Sequence, residues 1–168
     1  MIVPNGKGEL LRVLVVLGSG GHTAQMIRLV GMLSPDHDYA YIVGLDDQLS
    51  ESKITRKGEI YRVHRARRHE DGLLKTVVKA IRLSFESLGV LRKAKPDVII
   101  NAGPGTAVPI AILGKIFGKK IITLEDWSRV YSRSRSGRIL YHFSDLFFVQ
   151  WPEMLEFYPK AVYAGRLP

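Results

Sequence analysis

The sequence predicts an α/β fold with a doubly wound parallel sheet. Apolar runs of strand length alternate with segments of helical period along the chain, the pattern of a parallel sheet with crossover helices. Two of those runs end in glycine-rich corners, in "LVVLGSGGHT" and "NAGPGTAVP", each followed by a helical pattern. With 168 residues and 46% hydrophobic content the chain supports one domain with a sizeable core and is short for two, so one domain over residues 1–168 is expected.

The elements follow in order. The first strand is expected at 12–17, and the first helix at 22–33, where Met26, Ile27, Leu29, Val30 and Leu33 recur at helical spacing. A second strand at 39–43 leads into a polar loop over 44–59 and a short third strand at 60–64. After a charged connection, a long helix is expected at 73–93, stopped by Pro96. The fourth strand, 98–101, opens into the second glycine corner, a helix at 106–117 follows, and the fifth strand is 121–125. A loop rich in Ser and Arg, a short helix at 137–143, a strand at 146–149 and a last strand at 161–164 complete the chain. Repeats, low-complexity tracts and linkers are not evident.

In doubly wound sheets, strands one and four (or one and three) flank the switch point, and ligands bind outside the carboxyl ends of the strands there. That rule brings the two corners together and puts Glu125 on the same edge. Glycines at such a corner permit positive φ and close approach of a ligand, and the helix behind each presents unpaired N–H groups and a positive dipole end. The corner is a seat for phosphate or pyrophosphate. "GSGGHT" has its third glycine one residue early for a dinucleotide fingerprint, and the acid expected after strand two to hold a ribose has Asp46 as its weak candidate. The Lys and Ser/Thr of a P-loop are also missing. The alternative is a tight turn with no ligand.

His22 falls in the first turn of its helix, where the dipole favours a neutral ring able to act as a base or to donate to a phosphate oxygen; the alternative ties it to a nearby backbone group. Thr106 is placed to cap its helix through the hydroxyl. Glu125 and Asp126, between an apolar strand and a Trp, are candidates for proton transfer or for pairing with Arg129 or Arg133.

The chain holds 25 Lys and Arg against 16 Asp and Glu, a formal charge of +9, which predicts attraction to something anionic. Residues 56–95 carry most of that excess, with twelve basic residues against four acids. On the long helix, Leu74, Val77, Val78, Ile81, Phe85 and Leu88 form an apolar stripe with Lys75, Lys79 and Arg82 beside it. Such a helix either packs into the core with a solvated basic face or lies on an anionic membrane. RNA binding ranks last, because aromatics do not interleave with the basic residues. The absence of cysteine excludes a disulfide scaffold and thiolate metal sites, and no metal cluster or cofactor is expected. The apolar run at 10–17 is broken by Arg12 and too short to span a bilayer, and no signal peptide precedes it, so the chain is expected to span nothing.

The segments "VLVVLGSGGHTAQMIRLVGML", "KPDVIINAGPGTAVPIAIL" and "ITLEDWSRVYSRSRSGRILYHFSDLFFVQWPEMLEFYPKAVYAGRLP" resemble, in order and spacing, the asparagine-linked glycosylation protein 14 family. The match covers residues 11–168 and is weakest over 44–73; "SGRILYHFSDLFFVQWP" with "YPKAVYAGR" is more specific than either corner. A looser likeness extends to exopolysaccharide glycosyltransferase subunits and to the peptidoglycan enzyme that transfers GlcNAc to lipid I.

The resemblance implies the Rossmann-like N-terminal, acceptor-binding half of a GT-B glycosyltransferase, working as a membrane-associated subunit of an inverting UDP-N-acetylglucosamine transferase in lipid-linked oligosaccharide synthesis. Its partner would be a nucleotide-sugar-binding half similar to the asparagine-linked glycosylation protein 13 family, and its acceptor a polyisoprenoid pyrophosphate carrying GlcNAc. Carried over by position, Gly18, Ser19, Gly20, Gly21, His22 and Thr23 match one acceptor loop, Gly103, Gly105 and Thr106 lie in the second, and Glu125 matches the family's acid after strand five. His22 or Glu125 would be the base. Eukaryotic members begin with a hydrophobic anchor that is missing here, which implies a prokaryotic, archaeal form held peripherally at the cytoplasmic membrane face through Lys75, Lys79 and Arg82. Asp126 stands where the family commonly has serine, leaving open which carboxylate does chemistry. The alternatives are an exopolysaccharide or S-layer subunit using another sugar, and a non-catalytic membrane recruiter.

Overall fold

The computed structural model describes residues 9–65 and 73–167, with side chains in the second segment from residue 76 onward. Its seven strands, β1 (Arg12–Val16), β2 (Asp38–Gly44), β3 (Gly58–Val63), β4 (Val98–Asn101), β5 (Lys120–Leu124), β6 (Leu146–Val149) and β7 (Val162–Tyr163), form one sheet. All neighbours pair in parallel, in the order β3-β2-β1-β4-β5-β6-β7. The helices are α1 (Gly21–Met32), α2 (Gln48–Glu51), α3 (Leu73–Ala94), α4 (Ala107–Ile116) and α5 (Arg135–Phe143), followed by a 3-10 turn at Pro152–Glu156. The doubly wound parallel sheet is the fold class the alternating pattern predicts.

Alternate residues of each strand enter different cores, so the central strands are apolar on both faces. Leu14, Val16, Ala40, Ile42, Ile99 and Ile121 pack with Leu83, Val90, Ile110 and Leu140 of α3, α4 and α5. Val13, Val15, Leu17, Tyr39, Tyr41 and Ile100 pack with Met26 and Val30 of α1. Each fully buried Leu or Ile, such as Leu14 or Ile99, stabilises the fold by about 1.5–3 kcal/mol through removal from water. Beyond α1, the second face carries an apolar trough of about 450 Å³ between Leu29 and Met32 of α1, strand residues Ile100, Ile122 and Phe148, and Leu167.

Several elements differ from the sequence reading. The loop expected over 44–59 contains α2, which Asp47 caps by accepting the Ser50 N–H at 3.0 Å. α5 starts at Arg135, with the Ser134 hydroxyl accepting the Gly137 N–H at 2.8 Å as its cap. β5 ends at Leu124, which puts Glu125 just past the strand.

The apolar stripe of the long helix does not form its core face. Leu83, Ser87, Val90, Leu91 and Ala94 are buried, whereas Val77, Val78, Ile81 and Phe85 are exposed. The reason is facing: at ~100° per residue Leu83, Ser87, Val90, Leu91 and Ala94 share one side of α3, and Val77, Val78, Ile81 and Phe85 lie on the opposite side. The carboxyl-terminal half of α3 rests on the sheet and ends where Lys95 takes a left-handed turn (φ 43°) before Pro96.

Candidate functional site

The adjacency of β1 and β4 brings the two glycine corners side by side. At Gly20 (φ 62°) and Gly103 (φ 78°) the chain turns through left-handed backbone that a side chain would strain. Gly18 lies directly against Pro104 and the His22 ring base, so a methyl group there would push the corners apart. Asn101, fully buried, holds the second corner from below: its Oδ1 accepts the Gly103 N–H at 2.9 Å and its Nδ2 donates to Thr123 Oγ1 at 3.0 Å. Ser136 donates to the Gly103 carbonyl at 2.5 Å. Thr23, fully buried, donates to the Gly18 carbonyl and meets Ser50 Oγ at 2.7 Å.

Between the corners lies a cavity of about 390 Å³, lined by Gly18, Ser19, His22, Gly105 and Thr106 together with Asp47 and Arg65 from across the cleft. The amino ends of α1 and α4 meet here, and neither helix has an acidic residue in its first turn. The dipoles of both helices favour an anion, while in the first turn of α4 the Ala107 and Val108 N–H groups already donate to the Pro104 and Gly105 carbonyls and Pro109 has none. The Thr106 hydroxyl does not cap α4. Thr106 is already helical (φ −67°, ψ −22°), whereas a cap needs extended backbone, and its Oγ1 is buried with no hydrogen-bond partner. Gly21 and Thr23 contribute backbone to the same turn, and Thr23's side chain is spent on the corner itself.

His22 Nδ1 lies 2.8 Å from the carbonyl of Ala102. A carbonyl only accepts, so Nδ1 carries the proton, and the neutral ring keeps its lone pair on Nε2. Nε2 stands 3.6 Å from Asp126 Oδ2, too long for a good hydrogen bond and close enough for that carboxylate to stabilise a proton arriving on the ring. The backbone tie and the poised ring, set out above as alternatives, coexist.

Glu125 does not reach the cavity. It is 1% exposed; Oε1 accepts from Ser134 Oγ at 2.7 Å and from the Asp126 N–H at 3.1 Å, and Oε2 accepts from Tyr158 at 2.5 Å. Gly137 packs so closely on Glu125, Ser134 and Tyr158 that a side chain there would collide with all three. Burial first, then the bond to Glu125 and its charge, push the Tyr158 pKa up. Glu125 neither bonds nor ion-pairs with Arg129 or Arg133 among the described residues.

The third wall was not legible as a site. Arg65 leaves the end of β3 and pairs with Asp46 at 2.7 Å and with Asp47 at 4.0 Å. Asp46, the acid considered for a ribose, is thus engaged by a guanidinium. His64 before it is pinned to α3: Glu86 accepts the His64 N–H at 2.8 Å and meets Nδ1 at 2.6 Å. Burial alone would raise the Glu86 pKa; these His64 bonds and Arg82 outweigh it and hold the carboxyl below its usual range. On the side of α3 turned away from the sheet, Ile81 and Phe85 are exposed with Lys79 and Arg82 beside them, and Arg82 also reaches Glu86 at 3.2 Å. The side chain of Lys75 lies outside the described residues. Among the described residues, no helix is long and apolar enough to cross a membrane.

A seven-stranded parallel sheet with an anion-favouring cleft at its β1/β4 edge is the Rossmann-like architecture of one half of a GT-B glycosyltransferase. MurG of Acinetobacter baumannii superposes with a TM-score of 0.67 at 14% identity, over 84% of this chain and 42% of MurG. The UDP-GlcNAc 2-epimerase of Neisseria meningitidis gives 0.69 at 13% identity, over 92% and 46%. The chain therefore spans less than half of these solved proteins. Residues 13–167 match the family model described as "Oligosaccharide biosynthesis protein Alg14 like", and the chain belongs to that family. The human "UDP-N-acetylglucosamine transferase subunit ALG14" is 38% identical over 95% of this chain and 84% of its own length, and its Schizosaccharomyces pombe counterpart 40% over 91% and 81%. The protein is a glycosyltransferase subunit.

Proposed function

We propose that this chain is the acceptor-binding half of a heteromeric UDP-N-acetylglucosamine transferase and binds a polyisoprenoid-pyrophosphate-linked GlcNAc at the cytoplasmic face of a membrane. The observation that carries this reading is the cavity between two acid-free helix amino ends, with His22 in its wall. Pyrophosphate oxygens take the N–H groups of Gly18–Thr23, Gly105 and Thr106 and the unpartnered Thr106 hydroxyl. The outward side of α3 offers Ile81 and Phe85 to acyl chains and Lys79 and Arg82 to headgroups.

The partner half, similar to the asparagine-linked glycosylation protein 13 family, holds UDP-GlcNAc, and the apolar trough beyond α1 is a surface on which it can bury side chains. In the transfer, the acceptor 4-hydroxyl attacks C1 of the donor sugar, the C1–phosphate bond breaks, UDP leaves with the electron pair, and the hydroxyl proton passes to His22 Nε2. Asp126 stabilises the resulting imidazolium. Glu125 acts as a positioning residue, since one of its oxygens holds the Asp126 N–H. Co-expression with the partner and assay on a short-chain lipid-pyrophosphate-GlcNAc tests the reading. Transfer of GlcNAc from UDP-GlcNAc supports it; transfer of another sugar alone moves the protein to exopolysaccharide or S-layer glycan synthesis. Full transfer by a His22→Ala complex would leave recruitment as the role.

A further inference from the structure

The cleft's charge is not balanced by its backbone. A pyrophosphate diester bears one negative charge on each phosphorus, whereas the two helix amino ends supply about half a positive charge each. Asp47 adds a carboxylate to the lining and Asp126 stands behind His22. Among the described residues that line the cavity, Arg65 is the one guanidinium.

Its position is built. Arg65 follows the last residues of β3, where His64 is clamped to α3 through both a backbone and a ring contact with Glu86. That clamp fixes the point from which Arg65 joins Gly44, Asp47, Gly18 and Thr106 in lining the cavity. Its Nε donates to Asp46 at 2.7 Å, with the two side chains 40% and 47% exposed, and Nη2 stays at 4.0 Å from Asp47. Exposed pairs of this kind hold weakly. A guanidinium carries five donors in a planar fork that matches phosphate oxygens two at a time.

We infer that Arg65 is the cation that binds the phosphate oxygens of the acceptor, exchanging Asp46 for substrate when the cleft fills. This rests on the acceptor reading above. The site lies opposite the two glycine corners, so the pyrophosphate is held between backbone N–H groups on one side and a guanidinium on the other. Asp46 keeps the empty cleft's cation in place, and its competition tunes affinity.

The test uses the complex reconstituted with its nucleotide-sugar subunit, a short-chain isoprenoid pyrophosphate GlcNAc as acceptor, and inorganic pyrophosphate as competitor. Arg65→Gln raises the acceptor KM about 10- to 100-fold and weakens pyrophosphate inhibition in proportion, with the KM for UDP-GlcNAc within about twofold, as expected for loss of one charge-assisted fork. Arg65→Lys recovers part of the affinity, and Asp46→Asn lowers the acceptor KM. Binding to anionic vesicles free of acceptor is unchanged in Arg65→Gln; a matching loss there would assign Arg65 to the membrane surface and overturn the proposal. Ser19→Asp, which puts a negative charge into the same cavity from a corner, separates the two levels. If Ser19→Asp raises the acceptor KM and Arg65→Gln does not, Arg65 has no such role while the acceptor reading stands. If neither variant moves it, the acceptor reading itself fails. The pair lost in Arg65→Gln is exposed, so thermal unfolding serves as the control for folding.

Discussion

The hydroxyl of Tyr158 donates to Oε2 of Glu125 at 2.5 Å, closing a buried cluster that joins the end of β5, the cap of α5 and the turn after Pro152–Glu156. Glu125 is therefore a structural anchor that also holds the backbone of Asp126. Tyr158→Phe should cost about 1–3 kcal/mol, because a buried carboxylate oxygen loses its donor. Glu125→Ala should cost more, since two hydroxyls lose their acceptor and a cavity opens. Glu125→Gln, close in shape, should keep most of the fold and most of kcat. Denaturant unfolding of the three variants alongside their transfer rates checks this; a kcat abolished in a stably folded Glu125→Gln would return Glu125 to the role of base.

His22 combines a fixed tautomer with a ring nitrogen at the cleft, and the expected consequence is kinetic. His22→Ala should lower kcat about 10²- to 10⁴-fold, the usual range for losing a general base, with the UDP-GlcNAc KM little changed. Asp126→Asn should lower kcat by less, because it removes the charge beside Nε2 and leaves the Nδ1 bond to Ala102 intact. Steady-state kinetics with both substrates varied distinguishes this from a binding role, in which only the acceptor KM would rise.

The meeting of the corners was legible before any coordinates, because strand alternation and the switch-point rule act on patterns the sequence displays directly. The place of His22 was legible for the same reason, in the first turn of a helix behind glycines. Arg65 was not: it is one of twelve basic residues over 56–95, and only the clamp between His64 and Glu86 singles it out. The surroundings of Glu125 were not legible for a related reason, since a strand-end acid beside a Trp looks the same on paper whether it faces solvent or a Ser and a Tyr from distant segments. The α3 stripe left core packing and membrane contact both open, because periodicity reports an apolar face without reporting which side of the helix meets the sheet; here Leu83, Ser87, Val90, Leu91 and Ala94 do so from the opposite side.

Asp145 provides a test of stability against pH. Burial alone would raise its pKa; the bond from Lys115 at 2.7 Å, the Ile121 N–H at 2.9 Å and the nearby charges of Lys115 and Lys120 outweigh it and hold the carboxyl below its usual range. A depressed folded-state value means that the stabilisation is present above the unfolded value near 4 and is lost as pH falls through the folded one. Asp145→Asn should therefore be less stable than the parent at pH 6 by ~1 kcal/mol, with the gap closing as pH is lowered through 4 toward 3. Urea unfolding of both proteins over that range reads the difference, and a gap independent of pH would assign it to packing.

The outward side of α3 separates two contributions to membrane attachment that can be measured apart. Phe85, 72% exposed, and Ile81, 54% exposed, have no core to enter, so their replacement leaves stability unaffected. Phe85→Ser should weaken binding to neutral and anionic vesicles alike, by about 10-fold, as the loss of one buried aromatic in the acyl boundary implies. Lys79→Gln with Arg82→Gln should weaken binding to phosphatidylserine vesicles by about 10- to 30-fold, at ~1 kcal/mol per basic residue near an anionic surface, and change binding to neutral vesicles little. That second loss should fade as salt is raised, because the Debye length falls from ~10 Å at 0.1 M to ~3 Å at 1 M. Vesicle flotation at two salt concentrations with the parent and both variants resolves the pattern. Binding that ignores Phe85 and follows salt alone would make the contact electrostatic, and binding indifferent to every substitution would move the membrane surface away from α3.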